Sequence, residues 1–281
     1  MTVSAQVGTV RTRDAAHLHV RCYGEEAAPL VVFVHGYGAR LEYWEPQVRL
    51  LVDRFRVIVY DQRGLGRSSM GARGVAPDVL ADDLEAVLAD VVEPGRRAVL
   101  VGHSFGGITV MAFAERHPEQ LGRGVSAALL ANTIASGFPK VLGALSRMPA
   151  PMPPLRLMRP LFQRMVLSRF ASRPTVDYTH GVVAGCPRRV RAVWGLGLRN
   201  LDVTAGARAL SVPTTVISSG QDRLTSPEAG GRIAEILRGT GMLHRHVEFA
   251  RAGHCSNLEE PHAFSDEIAR LAELEVSSPR P

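Results

Sequence analysis

Five short runs of apolar or small residues punctuate the chain: Leu30–Val34, Val57–Tyr60, Ala98–Val101, Ser126–Leu130 and Thr214–Ser218. Each is too short for a helix, and each meets glycine or a polar residue within two positions of its end. Unbroken runs of this kind mark strands buried on both faces, as in a parallel sheet. Helical patterns separate them, at Tyr43–Arg54, Pro77–Val92, Ser104–His117 and Pro227–Leu237. Strands alternating with helices of that length predict βαβ units in a doubly wound α/β sheet. Two β-like runs at the start, Ala5–Thr12 and His17–Tyr23, and a last one at His244–Phe249 bring the expected strands to eight. A final helix is expected near Pro261–Leu274.

Composition narrows the class. A chain of 281 residues that is 46% hydrophobic can bury a sizeable core without metals or disulfides. The three cysteines, Cys22, Cys186 and Cys255, form no CxxC pair, so neither a zinc site nor a disulfide framework is expected. No stretch approaches the ~20 apolar residues that cross a bilayer. The first residues lack the apolar core of a signal peptide, so a cytoplasmic location is expected. The net charge is +6, yet no zinc finger, RNP motif or recognition-helix pattern accompanies it, and no nucleic-acid partner is expected.

The alternation breaks over residues 133–204, which are rich in Pro, Met, Leu and Arg and contain no strand-like run. The expected organisation is a core made of residues 1–132 and 205–281, with a helical cap inserted between the two pieces. Charge sets this stretch apart. Residues 133–200 hold eleven basic groups and one acid, Asp177, a net of +10; the rest of the chain, with 22 basic and 26 acidic groups, is −4. Within it, Leu155–Phe170 interleaves Arg156, Arg159, Arg164 and Arg169 with large apolar groups around Pro160, which should break or kink a helix. A basic amphipathic surface predicts peripheral contact with anionic lipid or with a phosphate-bearing substrate. The plainer expectation is an apolar face that covers a pocket, with its arginines solvated.

The residues that point to chemistry centre on Gly102-His103-Ser104-Phe105-Gly106-Gly107, which follows the strand Ala98–Val101 and opens a helical pattern. A serine in a sharp strand-to-helix turn is held in a strained conformation with its hydroxyl presented at the sheet edge, and the glycines let strand and helix pass closely. Ser104 is the candidate nucleophile. Such a serine needs a base and the base needs an orienting carboxylate. His254 follows the last strand, and Asp222 follows the strand Thr214–Ser218. The position after Ser126–Leu130, where a rival acid could sit, holds Asn132. Donors for a developing oxyanion are expected from the backbone N–H of Phe105, next after the serine, and of Tyr37 in His35-Gly36-Tyr37-Gly38. The side chains of Tyr37 and Phe105, with residues of the cap, are candidates to line a substrate pocket. His35 and His103 are expected to shape their loops, and Asp61 and Arg63 to hold the turn after Val57–Tyr60.

With these residues in place the sequence resembles the α/β-hydrolase superfamily, in its esterase, lipase and haloperoxidase-like branch. HGYG at 35–38, DQRGLGRS at 61–68, GHSFGG at 102–107, GQDRLTSP at 220–227 and GHCSNLEEP at 253–261 carry the resemblance. It implies a mostly parallel eight-stranded sheet flanked by helices, with a Ser104–Asp222–His254 triad and a cap that sets substrate choice. It further implies a serine hydrolase that cleaves a carboxylic ester with a hydrophobic acyl part through an acyl-enzyme, without cofactor or metal. The serine at the elbow separates the chain from relatives of this fold that use an aspartate nucleophile, the dehalogenases and epoxide hydrolases. Three other activities share the constellation: a thioesterase for an acyl-CoA or carrier-bound chain, a cofactor-free perhydrolase, and a low-turnover ligand-binding receptor.

Overall fold

The eight runs pair into one sheet in a computed structural model that describes residues 4–137, 143 and 155–277. The strands are β1 (Gln6–Arg11), β2 (His17–Tyr23), β3 (Leu30–Val34), β4 (Arg56–Tyr60), β5 (Ala98–His103), β6 (Val125–Ala131), β7 (Thr214–Ser219) and β8 (Leu243–Phe249). Their order across the sheet is β1-β2-β4-β3-β5-β6-β7-β8. β1–β2 and β2–β4 are antiparallel, and every other pair is parallel. The architecture is the α/β-hydrolase fold.

The core lies on both faces of this sheet. Along β3, Leu30, Val32 and Val34 face one cluster with Leu84, Ile108 and Phe113, while Val31 and Phe33 face another with Trp44, Leu129 and Phe264. Burial on both faces is why these strands read as unbroken apolar runs rather than alternating ones.

The connections place the site. From β3 the chain moves outward to β4, then returns across β3 to form β5 on its other side. This reversal of direction between β3 and β5 is the crevice where open α/β sheets receive ligands, at the carboxyl ends of the strands. The loop after β3 and the turn after β5 leave the sheet side by side there, with Val34 opposite Gly102.

The helices are α1 (Glu45–Leu51), α2 (Pro77–Val91), α3 (Phe105–Arg116), α4 (Leu155–Val166), α5 (Arg173–Val183), α6 (Arg188–Gly197), α7 (Thr204–Ala209), α8 (Pro227–Gly239), α9 (Ser256–Glu259) and α10 (Pro261–Ser277). Two expected helices differ at their starts. The pattern over Tyr43–Arg54 resolves into a 3₁₀ turn, Leu41–Trp44, followed by α1. Pro46 sits in the first turn of α1, where its missing N–H costs nothing. Ser104, expected as the first residue of the helix after β5, lies just outside α3.

Between β6 and β7 the chain leaves and returns at one point. Ser136 bridges Asp202, and the N–H of Val203 donates to the carbonyl of Ala135 at 2.7 Å. The helices α4, α5 and α6 belong to this β6–β7 segment, and Pro160 lies inside α4 without ending it. Lys140 and Arg147 lie outside the described residues, as does the side chain of Arg156. Among the described residues no helix is long and apolar enough to cross a membrane.

Candidate active site

Ser104 occupies a conformation that few side-chain-bearing residues adopt, with φ 54° and ψ −118°. Outside glycine this is a strained backbone, and it persists only where the surroundings over-determine it. Those surroundings are visible. The N–H of Ser104 donates to Ala131 at the end of β6 at 2.9 Å, and its carbonyl accepts the hydroxyl of Thr133 at 2.6 Å. Strand, turn and helix are pressed together: a Cβ on Gly106 would collide with the carbonyl of Val34, and one on Gly102 would lie 2.6 Å from the carbonyl of Gly106. The two glycines are therefore a steric requirement of the turn.

The two other residues of the expected triad meet directly. His254 Nδ1 donates to Asp222 Oδ2 at 2.9 Å, and both side chains are buried. Asp222 collects further donors. Oδ1 accepts the backbone N–H groups of Leu224 at 2.8 Å and Thr225 at 2.9 Å. Oδ2 accepts the Thr225 hydroxyl at 2.7 Å and Asn132 Nδ2 at 3.0 Å. Burial alone would raise this carboxyl, but His254 and these hydrogen bonds outweigh it and hold it below its ordinary value. An ionised Asp222 in turn places the hydrogen of His254 on Nδ1 and leaves Nε2 able to accept a proton.

Ser104 reaches the same locus through its neighbour. The ring of His103 packs against that of His254, with centroids 4.8 Å apart, and His103 Nε2 donates to the carbonyl of His254 at 2.7 Å. Among the described residues no hydrogen bond joins Ser104 to His254. Such bonds are commonly long in a substrate-free site and tighten only in the complex.

The loop after β3 abuts the serine. A Cβ on Gly36 would lie 3.0 Å from Cβ of Ser104. Gly38 takes the left-handed φ of 71° that turns the loop back. His35 pins its base: Nε2 accepts the N–H of Gln62 at 3.1 Å, so Nδ1 carries the hydrogen and donates to the carbonyl of Gly36 at 2.9 Å. Burial lowers His35 and pulls His103 down to about 3, so both stay neutral. The shaping roles expected for these histidines fit these bonds. Tyr37 and Phe105 are the two expected oxyanion donors. Tyr37 lies in the β3 loop and Phe105 opens α3, with their rings 5.6 Å apart.

The side chains of these two residues differ in what they offer a ligand. Phe105 is fully buried in the core. Tyr37 is half-buried, and its hydroxyl donates to the carbonyl of Arg191 on α6 at 3.0 Å. Trp194 of α6 completes an aromatic group, 6.3 Å from each ring. The turn after β4 is held as expected: Asp61 accepts the N–H of Leu41 at 2.7 Å and of Arg67 at 2.9 Å. Cys255 neighbours His254 but is buried, and burial raises its thiol far above its ordinary value. Among the described residues no group of three or more His, Cys, Asp or Glu could hold a metal ion.

Sequence reasoning noted Asn132 only as the place where a rival acid was missing, and gave Glu259 no role. Asn132 is a ligand of Asp222, and Glu259 accepts the backbone N–H of Gly253 at 2.9 Å. The only signal available was position, since Asn132 follows a sheet strand and Glu259 lies five residues after His254.

Known proteins are similar to this chain. Along the sequence, the chain is 26% identical to 3-oxoadipate enol-lactonase 2 of Acinetobacter baylyi over 92% of this chain and 94% of that protein. A bifunctional esterase/perhydrolase of Acinetobacter calcoaceticus is 36% identical over 113 residues, 40% of each chain. Among solved structures, the enol-lactonase of Burkholderia xenovorans superposes with a TM-score of 0.78 at 26% identity, over 94% of this chain and 99% of that one. An esterase of Exiguobacterium antarcticum reaches 0.81 at 19% identity, over 95% and 100%, a likeness of fold. Residues 31–267 match the alpha/beta hydrolase family, and the chain belongs to that family.

Proposed function

We propose that this protein is a serine hydrolase that cleaves a carboxylic ester, open-chain or lactone, with a hydrophobic acyl part. The observation that carries the reading is the buried Asp222–His254 pair, packed through His103 against a serine in a strained elbow. In this reading Ser104 Oγ attacks the carbonyl carbon while His254 Nε2 takes its proton. The tetrahedral oxyanion is met by the N–H groups of Phe105 and Tyr37. His254 returns the proton to the departing alkoxide, leaving an acyl-enzyme. Water, activated by the same imidazole, then releases the acid and restores Ser104. Asp222 holds the tautomer and balances the imidazolium. Similarity to two enol-lactonases over nearly the whole chain supports an ester bond as the target. The half-buried ring of Tyr37, backed by the core rings of Phe105 and Trp194, supports an apolar acyl side, and residues 133–204 serve as the cap over it.

The test pairs covalent labelling with turnover. A fluorophosphonate should label wild type and not Ser104→Ala, and p-nitrophenyl esters of graded chain length should turn over. Loss of such a nucleophile costs about 10⁶ in turnover, and Asp222→Asn should cost about 10⁴. Labelling that persists in Ser104→Ala would move the nucleophile elsewhere. Thioesters hydrolysed faster than matched oxygen esters would change the substrate class.

A further inference from the structure

Glu259 joins two parts of the chain that are far apart in sequence. Its Oε1 accepts the N–H of Gly253 at 2.9 Å, and its Oε2 accepts the N–H of Ser168 at 3.0 Å. Gly253 immediately precedes His254. Ser168 lies in the turn after α4, in the β6–β7 segment. The two backbones touch, because a Cβ on Gly253 would collide with the main chain of Leu167 and Ser168. The turn that meets them is itself tied. Ser168 Oγ accepts the N–H of Phe170 at 3.1 Å, and Gln163 Nε2 donates to the carbonyl of Ser168 at 3.1 Å. On the other flank, His103 Nε2 holds the carbonyl of His254 at 2.7 Å. The main chain around the imidazole is thus fixed from one side by the elbow and from the other by Glu259.

We propose that Glu259 is a positioning residue that clamps the β6–β7 segment to the loop carrying His254, so that the base is in place only when that segment is seated. The proposal rests on the reading of His254 as the base. Two N–H donors converge on one carboxylate, and a carboxylate is the side chain that can accept both. A glutamine in its place has one carbonyl oxygen, and its NH₂ would face the second donor, so one of the two bonds is lost. Glu259→Gln therefore uncouples the two partners while keeping size and shape.

The experiment measures hydrogen exchange and labelling on the full chain, in wild type, Glu259→Gln and Glu259→Ala. In Glu259→Ala exchange should rise together in peptides covering 167–171 and 251–255, by about 10- to 100-fold for a lost charge-assisted bond, and in Glu259→Gln it should rise at least in the peptide whose N–H loses its acceptor. Exchange in β3 and β5 should stay as in wild type. The rate at which a fluorophosphonate labels Ser104, per folded molecule, should fall by about the same factor. A role confined to stability would lower the melting temperature and leave that rate unchanged. In Glu259→Ala, faster exchange in 251–255 without a change in 167–171 would overturn the clamp. A wild-type labelling rate in Glu259→Gln would overturn its effect on the base. If wild type itself resisted the fluorophosphonate, the proposed function would fall, and the exchange arm would still decide whether Glu259 couples the two segments.

Discussion

Asn132 gives a side-chain N–H to Asp222: Nδ2 lies 3.0 Å from Oδ2, and 2.9 Å from Ser219 Oγ, while Oδ1 accepts the hydroxyl of Ser256 at 2.6 Å. One side chain thereby joins the ends of β6 and β7 to the segment that follows His254. Its backbone takes a left-handed φ of 47°, which asparagine tolerates better than most residues. Asn132→Ala strands several buried polar partners and should cost about 1–3 kcal/mol of stability. Asn132→Asp should impair turnover more than Asn132→Ala at pH 7, because an acceptor replaces the donor facing an ionised carboxylate. Its deficit should shrink in mild acid as the new carboxyl pair binds a proton. Turnover per fluorophosphonate-labelled site, followed against pH, checks this. Equal activity of the two variants across pH would remove Asn132 from the support of Asp222.

Arg63 anchors the turn after β4 through a buried charge network. Its Nε and Nη2 reach the two oxygens of Asp83 at 2.6 Å each, and Nη1 reaches Asp14 at 2.9 Å. Nη1 also donates to the carbonyls of Met70 and Gly74, each at 3.0 Å. Lysine offers a point charge without this fork, so Arg63→Lys should destabilise nearly as much as removal. Breaking a buried pair by deleting one partner typically costs about 3–5 kcal/mol, since the remaining carboxylates lose their compensation. Denaturant unfolding of Arg63→Met should show a loss of that size. Arg63→Met combined with Asp83→Leu should recover part of it. An additive double variant would mean that the two side chains do not depend on each other.

How far the sequence was legible follows from which interactions are local. The strands of the sheet interior announced themselves because burial on both faces leaves no polar residue in β3. The elbow was legible because Gly102 is fixed by a contact within its own turn, against Gly106, even though Gly106 is fixed by the distant Val34. The order Ser104, Asp222, His254 pointed to the candidate site residues because each follows a recognisable strand. Asn132 and Glu259 were not legible. Asn132 meets Asp222 90 residues away and Glu259 meets Ser168 91 residues away, and nothing in the spacing tells a lone amide or carboxylate which distant group it will meet. The side chain of Phe105 was open between pocket and core, and the answer depends on Trp194, which arrives from the β6–β7 segment.

Acid should destabilise the fold through its neutral histidines. Burial pulls His103 from its ordinary value of 6.5 down to about 3, and it lowers His35 as well. Above pH 6.5 neither the folded nor the unfolded chain protonates His103 appreciably, and the fold carries no penalty from it. As pH falls below 6.5, the unfolded chain binds the proton and the folded chain does not, until the folded value near 3 is reached. Stability should therefore drop across that window by up to about 1.4 kcal/mol per pH unit from this residue. Unfolding free energy measured from pH 7 downward should fall less steeply for His103→Gln than for wild type. Identical slopes would mean that His103 is protonated in the folded chain.

The basic surface where the β6–β7 segment meets the loops after β7 and β8 can be tested at one place. The guanidinium carbons of Arg169 and Arg251 lie 4.7 and 4.2 Å from the ring centre of Phe170, which is 46% exposed. Arg223 Nη1 donates to the carbonyl of Arg164, and Leu161, one turn earlier on α4, is 49% exposed. Among the described residues none of these four arginines has a carboxylate partner. Exposed apolar side chains ringed by arginines suit the headgroup depth of an anionic bilayer, where each basic residue contributes about 1 kcal/mol. The expected outcome is co-sedimentation with phosphatidylglycerol-containing vesicles and not with pure phosphatidylcholine. Raising the salt should weaken it as the screening length falls below about 10 Å. Arg169→Glu with Arg251→Glu should abolish it, because two attractive charges become repulsive while the segment's other ties, such as Glu259 to Ser168, are untouched. Negligible binding of wild type to both vesicle types would leave these arginines as a solvated rim over an apolar face.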